Sequence, residues 1–389
     1  MFIEVGHSTR NKKGHQVCGD SFICHRNTTE GRLVAVLADG LGSGIKASVL
    51  SLLTSTMLAR CVANDLDIRQ TARTIMETLP ICAVRKIGYS TFTIIDIDMQ
   101  GNASCIEFDN PAIIWLRGDT LQPLQRQVEI IETADGRRME LRFSSVELGF
   151  EDRIIVCSDG VCQSGMGNDA YPLGWSQQKV EQFSRQWLKN NPRSSAQEMA
   201  DTLSRTALHI DENQAKDDIS AVVIYLRKPR QLLVVTGPPF NKRQDREIAD
   251  LCTSFAGKKV ICGGSTASIV ARELNRTIAI DRSFDFTDVP PASQIEGIDL
   301  VTEGTLTLSR VSQLLEDDTL ALHPANAAAA VCALLKASDA ISFVVGTRVN
   351  QAHQDPSLPV NLDIRRNTIG RICHLLESRH FKTTSARFI

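Results

Sequence analysis

Apolar residues form two short unbroken runs in this chain, at residues 33–38 and 154–157. Runs of this length without alternation are typical of strands that are buried on both faces of a sheet. Other segments of the first half alternate or are rich in strand formers. They predict strands at residues 16–25, 91–99, 103–109, 112–116, 139–146 and 219–226, and another that starts within residues 1–6.

The spacing of the apolar residues changes after Gly44, where Leu50, Leu53, Met57 and Cys61 recur at helical intervals. The same criterion predicts helices at residues 68–79, 176–190 and 194–209. Strands separated by two pairs of helices suit two stacked sheets that are flanked by helices. Periodicity alone leaves other α+β arrangements open.

Beyond residue 228 the pattern differs, because apolar strands alternate with helical segments. Strands are predicted at residues 232–235, 259–262, 277–280, 298–301 and 341–345. Helices are predicted at residues 243–255, 267–274, 306–315, 325–335 and 369–376. This alternation favours an open α/β domain with a mainly parallel sheet over residues 231–389, in which we recognise no characterised family.

Small or polar residues follow several strands of this second half: Thr236-Gly237, Gly263-Gly264-Ser265-Thr266, Glu303-Gly304 and Gly346-Thr347. Ligands of open α/β sheets bind outside the carboxyl ends of the strands, so these residues could line one crevice. A structural explanation stays open, since any turn from a strand to a helix favours glycine and a Ser or Thr N-cap. The two glycines at 263 and 264 lack the spaced third glycine of a dinucleotide fingerprint.

The chain has 389 residues, which predicts two domains, at residues 1–228 and 231–389. Its formal net charge of −2 provides no basic field for nucleic acid or for an anionic membrane surface. No apolar run comes near the ~18–20 residues that span a bilayer, and the N-terminus does not read as a signal peptide, so we expect a cytoplasmic protein. The cysteines lie mostly in apolar stretches without Cys-x-x-Cys pairs, which favours reduced core residues, for instance Cys61, Cys105, Cys157, Cys332 and Cys373.

Four acidic motifs carry the candidate chemistry: Gly19-Asp20-Ser21, Asp39-Gly40-Leu41-Gly42-Ser43-Gly44, Ser158-Asp159-Gly160 and Lys216-Asp217-Asp218-Ile219-Ser220. Asp39 and Asp159 each follow an apolar strand, Asp217 precedes another, and Asp20 lies within a predicted one. Taken alone, an Asp-Gly pair after a strand is usually only a turn. Carboxylates from several strand ends can converge on a hard, oxygen-seeking cation, so the four motifs together predict one metal site.

These motifs, in this order, resemble the metal-dependent protein phosphatases of the phosphatase 2C (PPM) superfamily. The branch that the chain is similar to is typified by stage II sporulation protein E and the stress-response sigma-factor phosphatases. Residues 110–118 (NPAIIWLRG) and 148–153 (LGFEDR) add to the resemblance, which covers about residues 1–228. It implies an α/β/β/α sandwich that hydrolyses phosphoserine or phosphothreonine with two Mn²⁺ or Mg²⁺ ions.

The resemblance also implies roles for the acidic residues. Asp39 would bridge both ions and the Gly40 carbonyl would bind the second. Asp159 and Asp217 would hold the first ion, and Asp20 would support the second through water. Asp218 stands where many relatives carry Asn, and we expect it to assist Asp217. Two divalent ions about 3.5–4 Å apart would activate water and neutralise the phosphoryl oxygens.

Two departures from the family pattern leave roles unassigned. Many eukaryotic relatives carry a His after the Asp-Gly pair, often proposed to protonate the leaving group, whereas this chain has Leu41. His7 and His15 are the nearest histidines in sequence, but each also suits a structural position. Lys46 is a candidate for binding the substrate phosphate, with a solvated lysine as the alternative. Gly42 and Gly44 suit either a close backbone approach to an anion or a plain turn.

The leading hypothesis is a bacterial-type protein serine/threonine phosphatase with a C-terminal domain that senses a ligand or selects a partner. A phosphoprotein is the expected substrate, with an anti-sigma-factor antagonist as one candidate; no nucleic-acid or membrane partner is expected, and the oligomeric state is not indicated. Two alternatives stay open. One is a phosphatase of a small phosphorylated metabolite, and the other is a catalytically silent binding module with the same fold.

Overall fold

The computed structural model describes residues 1–27, 31–78, 90–132, 138–281, 283–284, 289–317, 326–348, 358–380 and 382–389. Contacts between residues divide the chain into two compact units, Met1–Lys228 and Pro229–Ile389. Leu79 and Ala325, which end or begin predicted helices, lie outside the described residues.

The first unit combines two antiparallel sheets with helices. Its strands are β1 (Phe2–Arg10), β2 (Asp20–Asn27), β3 (Arg32–Gly40), β4 (Ser90–Ile97), β5 (Asn102–Phe108), β6 (Ile114–Arg117), β7 (Thr120–Leu121), β8 (Gln127–Glu132), β9 (Arg138–Glu147), β10 (Asp152–Cys157) and β11 (Ile219–Arg227). Its helices are α1 (Ile45–Ala63), α2 (Ile68–Thr78), α3 (Asp159–Cys162), α4 (Gln177–Asn190) and α5 (Ala196–Ile210). The strand orders are β1-β11-β10-β6-β7 and β2-β3-β4-β5-β9-β8.

Both faces of each sheet are covered, as the unbroken apolar runs predict. Leu33 and Leu37 of β3 face Ile154 and Val222 of the other sheet in a core between the two sheets. The alternate residues of β3 pack against α1 and α2, and those of β10 and β11 pack against α4 and α5. The predicted α/β/β/α sandwich is therefore confirmed.

Two local predictions differ from the structure. The strand expected at residues 16–25 begins only at Asp20, because its partner β3 ends at Gly40 and the ladder runs from the Asp20–Asp39 pair. α1 is a helix, but Leu53 and Met57 are 47% and 38% exposed. Its buried side is made largely of small residues, which allow close packing on the sheet: Ala47, Ser51, Thr54, Ser55, Leu58, Ala59 and Val62.

By length and composition alone α1 could cross a membrane, with a mean hydropathy of 1.3 over its apolar window. This differs from the expectation that no apolar segment approaches that length. About two-fifths of the window is buried inside the unit, where Leu58 and Val62 pack against Val34 and Val36 of the sheet. The core helix of a globular domain can have the same length and hydropathy, so these two properties are weak evidence for a membrane span.

The second unit is built on one mixed sheet. Its strands are β12 (Gln231–Thr236), β13 (Lys258–Cys262), β14 (Ala279–Ile280), β15 (Ser293–Ile295), β16 (Ile298–Thr302), β17 (Ala340–Val345) and β18 (Thr383–Phe388). Its helices are α6 (Gln244–Ser254), α7 (Gly264–Leu274), α8 (Thr305–Glu316), α9 (Ala327–Ala337) and α10 (Leu358–His380). The sheet order is β14-β15-β16-β13-β12-β17-β18.

Five of these strands are mutually parallel, in agreement with the alternation of strands and helices. The segment predicted as a strand at residues 277–280 is an exception, because β14 pairs antiparallel with β15 at the sheet edge and β15 pairs antiparallel with β16. α6 and α7 cover one face of the sheet, and α8, α9 and α10 cover the other.

Candidate metal centre

Two of the predicted acidic residues belong to one sheet. Asp20 begins β2 and Asp39 is the last residue but one of β3, and the two are direct partners in the antiparallel ladder. Gly40 ends β3. A Cβ at this position would overlap the main chain of Ala47 in α1, so only glycine allows the helix to lie so close to the strand end.

The other acidic residues come from the second sheet. Asp159 begins α3 directly after β10, and Asp217 and Asp218 directly precede β11. β10 and β11 are antiparallel neighbours, so the end of one and the start of the other lie at the same sheet edge. The amide of Ser158 donates to the carbonyl of Ser220 at 3.0 Å, which extends the pairing to the residues beside the aspartates.

The carboxylates of the two sheets interact electrostatically. Burial, followed by the negative charges of Asp20, Asp159 and Asp217, raises the pKa of Asp39 to about 10. Burial raises the pKa of Asp20 to about 7. The pKa of Asp159 is also raised, first by burial and then by the charge of Asp217. These shifts describe a cluster of buried negative charges that lacks enough positive charge to balance it.

Several oxygens of the cluster have no hydrogen-bond partner. Both carboxylate oxygens of Asp20 and Oδ2 of Asp218 are buried and form no hydrogen bond of normal geometry with the described residues. The hydroxyls of Ser220 and Ser158 are near enough to Asp20 to oppose the rise of its pKa. Asp20 and Asp218 are only 6% and 4% exposed. Because a buried carboxylate without partners is costly, these oxygens suit coordination of a cation.

The acidic side chains of the described residues do not surround a single point. Within the described part of the chain, no three Asp, Glu, His or Cys side chains are near enough to one another to hold an ion. The pKa shifts nonetheless require the carboxylates to be neighbours.

Lys12 is a residue of this centre that sequence reasoning missed. Its ammonium lies 3.3 Å from Oδ1 of Asp217, and its backbone amide donates to Oδ1 of Asp218 at 2.9 Å. Lys12 is in the loop between β1 and β2, eight residues before Asp20. The basic pair Lys12-Lys13 so close to an acidic motif is the signal that could have identified it.

The other basic candidates lie elsewhere. The ring of His7 stacks on Phe22 at 4.7 Å, and burial lowers the pKa of His7. A Cβ on Gly44 would lie 3.0 Å from Nδ1 of His15, so this ring sits beside the start of α1. Lys46 is exposed. Among the described residues, no hydrogen bond or ion pair joins any of these three to the aspartates.

The cysteines near the centre are thiols. Burial and the charge of Asp159 raise the pKa of Cys162 to about 12. Burial likewise raises the pKa of Cys18 and of Cys157 far above the ordinary range. A nucleophilic cysteine needs a low pKa and a positive environment, and this environment is acidic.

Two stacked antiparallel sheets with carboxylates of both sheets at one edge define a fold of the phosphatase 2C class. The family model described as "Stage II sporulation protein E (SpoIIE)" matches residues 29–227, slightly more than half of the chain. The chain therefore belongs to the SpoIIE family of metal-dependent, phosphatase 2C-type phosphatases. The resemblance seen in the sequence is confirmed.

Known relatives are similar to the first unit. Stage II sporulation protein E of Bacillus subtilis (strain 168) is 26% identical over 224 residues, which are 57% of this chain and 25% of that protein. The chain thus spans a quarter of the length of this curated relative. A solved structure of the SpoIIE phosphatase domain with a fragment of its regulatory domain, from the same organism, is 22% identical with a TM-score of 0.47, and covers 58% of this chain and 64% of that one.

A second solved structure contains the RsbU and RsbW domains of a Mycobacterium tuberculosis protein. It is 13% identical, with a TM-score of 0.46, and covers 72% of this chain and 70% of that one. Because both TM-scores are below 0.5, the family assignment rests on the sequence match.

Proposed function

We propose that this protein is a serine/threonine phosphoprotein phosphatase of bacterial signalling that uses two Mn²⁺ or Mg²⁺ ions. The observation that carries the proposal is the burial of Asp39 beside Asp20, Asp159 and Asp217, with unpartnered carboxylate oxygens in the same cluster. Family membership supports the reaction class. A silent binding module would have no need to retain these costly buried charges.

The proposed ligand set is that of the sequence analysis. Asp39 would bridge the ions with the Gly40 carbonyl beside it, Asp159 and Asp217 would hold one ion, and Asp20 would support the other. When bound, such ions lower the pKa of water and neutralise charge on phosphoryl oxygens. The hydrogen bond from Gln163 Nε2 to Oδ2 of Asp159, at 2.8 Å, would orient that carboxylate.

Asp218 would hold the loop through Oδ1 and assist Asp217 at the metal site, where its buried Oδ2 is unpartnered among the described residues. Its Oδ1 accepts the backbone amide of Lys12, and its own amide donates to Oδ1 of Asp217 at 3.0 Å. It therefore connects the β1–β2 loop to a proposed ligand. A substitution at Asp218 would displace both Lys12 and Asp217.

Lys12 is the proposed contact for the substrate phosphate, in place of Lys46. Its side chain is 32% exposed beside the partly exposed Asp217, so it can reach an incoming anion. A cavity of about 300 Å³ adjoins it, with Lys12, Lys13 and Lys216 among its lining residues. Asp211 and Glu212 also line this cavity, so its three lysines outnumber its two carboxylates by one. The lysine side of the cavity suits a phosphorylated segment of a protein substrate.

The test compares phosphoprotein substrates with phosphorylated metabolites, each with Mn²⁺, with Mg²⁺ and with chelator. We expect phosphoserine and phosphothreonine proteins to be hydrolysed only with metal. Preference for a metabolite would favour the alternative substrate class, and inactivity toward every substrate with metal bound would favour a binding module.

An anti-sigma-factor antagonist is one proposed substrate, by analogy with the family. A cytoplasmic location belongs to the same proposal. It is supported by the cysteines of the described residues, all of which are free, as expected in a reducing compartment.

A further inference from the structure

In the second unit, the strands that follow β12 along the chain are first added on one side of β12 and then on the other. β13 and β16 lie on one side of β12, and β17 and β18 lie on the other, all of them parallel. In open α/β sheets of this order, ligands bind outside the carboxyl ends of the strands where the order reverses. Here that place lies beyond Thr236 of β12 and Val345 of β17.

Arg365 of α10 lies at this reversal. Its Nη1 donates to the carbonyl oxygen of Gly346 at 2.9 Å, and a Cβ on Gly237 would overlap the same nitrogen. Burial lowers the pKa of Arg365, and no carboxylate of the described residues forms an ion pair with it. A guanidinium has five N–H donors. A partly buried guanidinium without a counter-ion indicates that an anion binds here.

The start of α7, at the end of the neighbouring strand β13, is the second part of the site. Gly263 is its N-cap, no side chain caps the helix, and its first turn has no acidic residue. Thr266 is fully buried in that first turn, yet its hydroxyl has no partner among the described residues.

The two parts adjoin each other through the glycines. A Cβ on Gly263 would lie 3.4 Å from Oγ1 of Thr266 and 3.9 Å from the amide nitrogen of Gly237. Gly237 is also the residue next to Arg365. The guanidinium of Arg365 occupies the space that a side chain on Gly237 would fill, and the missing side chain of Gly263 leaves the main chain open beside the Thr266 hydroxyl.

The neighbouring helix α8 serves as an internal comparison. Oε2 of Glu303 accepts the backbone amides of Leu306, at 2.9 Å, and Thr307, at 3.4 Å. Helix N-termini attract anions, and Glu303 supplies one for α8. The start of α7 has no such carboxylate. Thr307 also has a buried hydroxyl without a partner among the described residues. The two sites therefore differ in one respect, which is that a carboxylate accepts the first amides of α8 and none in the described part of the chain accepts those of α7.

We propose that the second unit binds the phosphate group of a small phosphorylated molecule between Arg365 and the start of α7. The planar guanidinium can bind two phosphate oxygens at once. The first amides of α7 and the Thr266 hydroxyl donate to the remaining oxygens. This site lies in a different unit from the acidic cluster and is independent of the proposed hydrolysis.

Calorimetric titration of the full chain in chelator tests this, with inorganic phosphate, AMP, ADP, ATP and ribose 5-phosphate as probes. Chelator removes any phosphate binding through metal at the acidic cluster. We expect saturable binding of at least one probe, weakened about tenfold or more by Arg365→Gln and by Thr266→Val. The matched controls are Arg371→Gln, on the same helix, and Thr307→Val; both should leave the affinity unchanged.

Folding is separated from binding by the probe-free stability of the variants. Thr266→Val removes an unpartnered buried hydroxyl, so the variant should unfold at the same or a higher temperature than the parent. Tighter binding of a nucleotide or sugar phosphate than of inorganic phosphate would assign the site to an organic phosphate, and equal binding would assign it to the free ion. Absence of saturable binding for every probe, or equal losses in the control variants, would overturn the proposal.

Discussion

Asp20 and Asp39 are direct partners in the antiparallel β2–β3 ladder, at the end of the sheet where β2 begins and β3 ends. Two carboxylates opposite each other in an antiparallel pair repel. The charge of Asp20 contributes, after burial, to raising the pKa of Asp39 to about 10, and burial raises the pKa of Asp20 to about 7. The proposed cations would offset this repulsion.

Asp39→Asn should reduce kcat/KM for an aryl phosphate by about 100- to 1,000-fold, because a bridging ligand worth several kcal/mol is lost. Steady-state kinetics with Mn²⁺ measure this. Asp119→Asn, at an exposed position, is the matched control and should be neutral. Full wild-type activity in chelator would contradict the two-ion proposal.

The metal-free protein should lose stability as the pH rises. The pKa of folded Asp39 is about 10, against an ordinary value of 3.8, so the folded state holds a proton that the unfolded chain has released. The free energy of unfolding therefore falls as the pH rises from about 4 toward 10. Asp20, with a pKa of about 7, adds to this fall up to neutral pH.

Urea unfolding in chelator between pH 5 and pH 8 would measure the effect. Asp39→Asn should flatten the dependence and stabilise the metal-free protein at the higher pH, because no proton is then linked to folding at this position. Metal at about 100 times its dissociation constant should add about 2.7 kcal/mol to the wild type. Identical pH profiles for the wild type and Asp39→Asn would refute the electrostatic account.

Lys12→Ala should lower kcat/KM by about 10- to 100-fold, as expected for a charge-assisted hydrogen bond to phosphate. Lys46→Ala, which changes an exposed lysine near the start of α1, is the control and should have little effect. Initial rates over a range of substrate concentrations would show the loss. Comparable losses for the two variants would remove Lys12 from the site.

Replacing Cys18 and Cys162 by Ser, and Cys157 by Ala, should leave kcat and KM close to the wild-type values. Each thiol has a raised pKa and lies in or near an acidic environment, so none can serve as the nucleophile. Mass spectrometry of quenched reactions is the complementary measurement. A trapped phosphocysteine would show that the mechanism is covalent.

Residues 1–228 alone should retain metal-dependent hydrolysis of a small aryl phosphate. The proposed ligand and positioning residues all lie in this unit, which has its own cores. The truncated protein should bind Mn²⁺ and hydrolyse the aryl phosphate at a rate similar to the full chain. If it folds and binds Mn²⁺ without hydrolysis, the second unit contributes to catalysis.

The sequence by itself determined the elements that depend on local pattern. The apolar runs at residues 33–38 and 154–157 are strands buried on both faces, since only such strands tolerate an unbroken run, and Asp39 and Asp159 lie at their ends as predicted. The alternation after residue 228 correctly indicated the parallel sheet. Short strands such as β7 and β15 were not predicted, because two or three residues carry too little pattern.

Only the tertiary structure decided which distant groups meet. Lys12 contacts Asp217, which is 205 residues away along the chain. The charge of Asp159, which follows a strand of the other sheet, contributes to the raised pKa of Asp39. The sequence did not show which side of α1 is buried. Small residues pack against the sheet there, and their weak hydrophobicity does not mark them as buried. Among the described residues, the unpartnered hydroxyl of Thr266 and the missing counter-ion of Arg365 are likewise invisible in a sequence, since both depend on which neighbours surround the side chain in space.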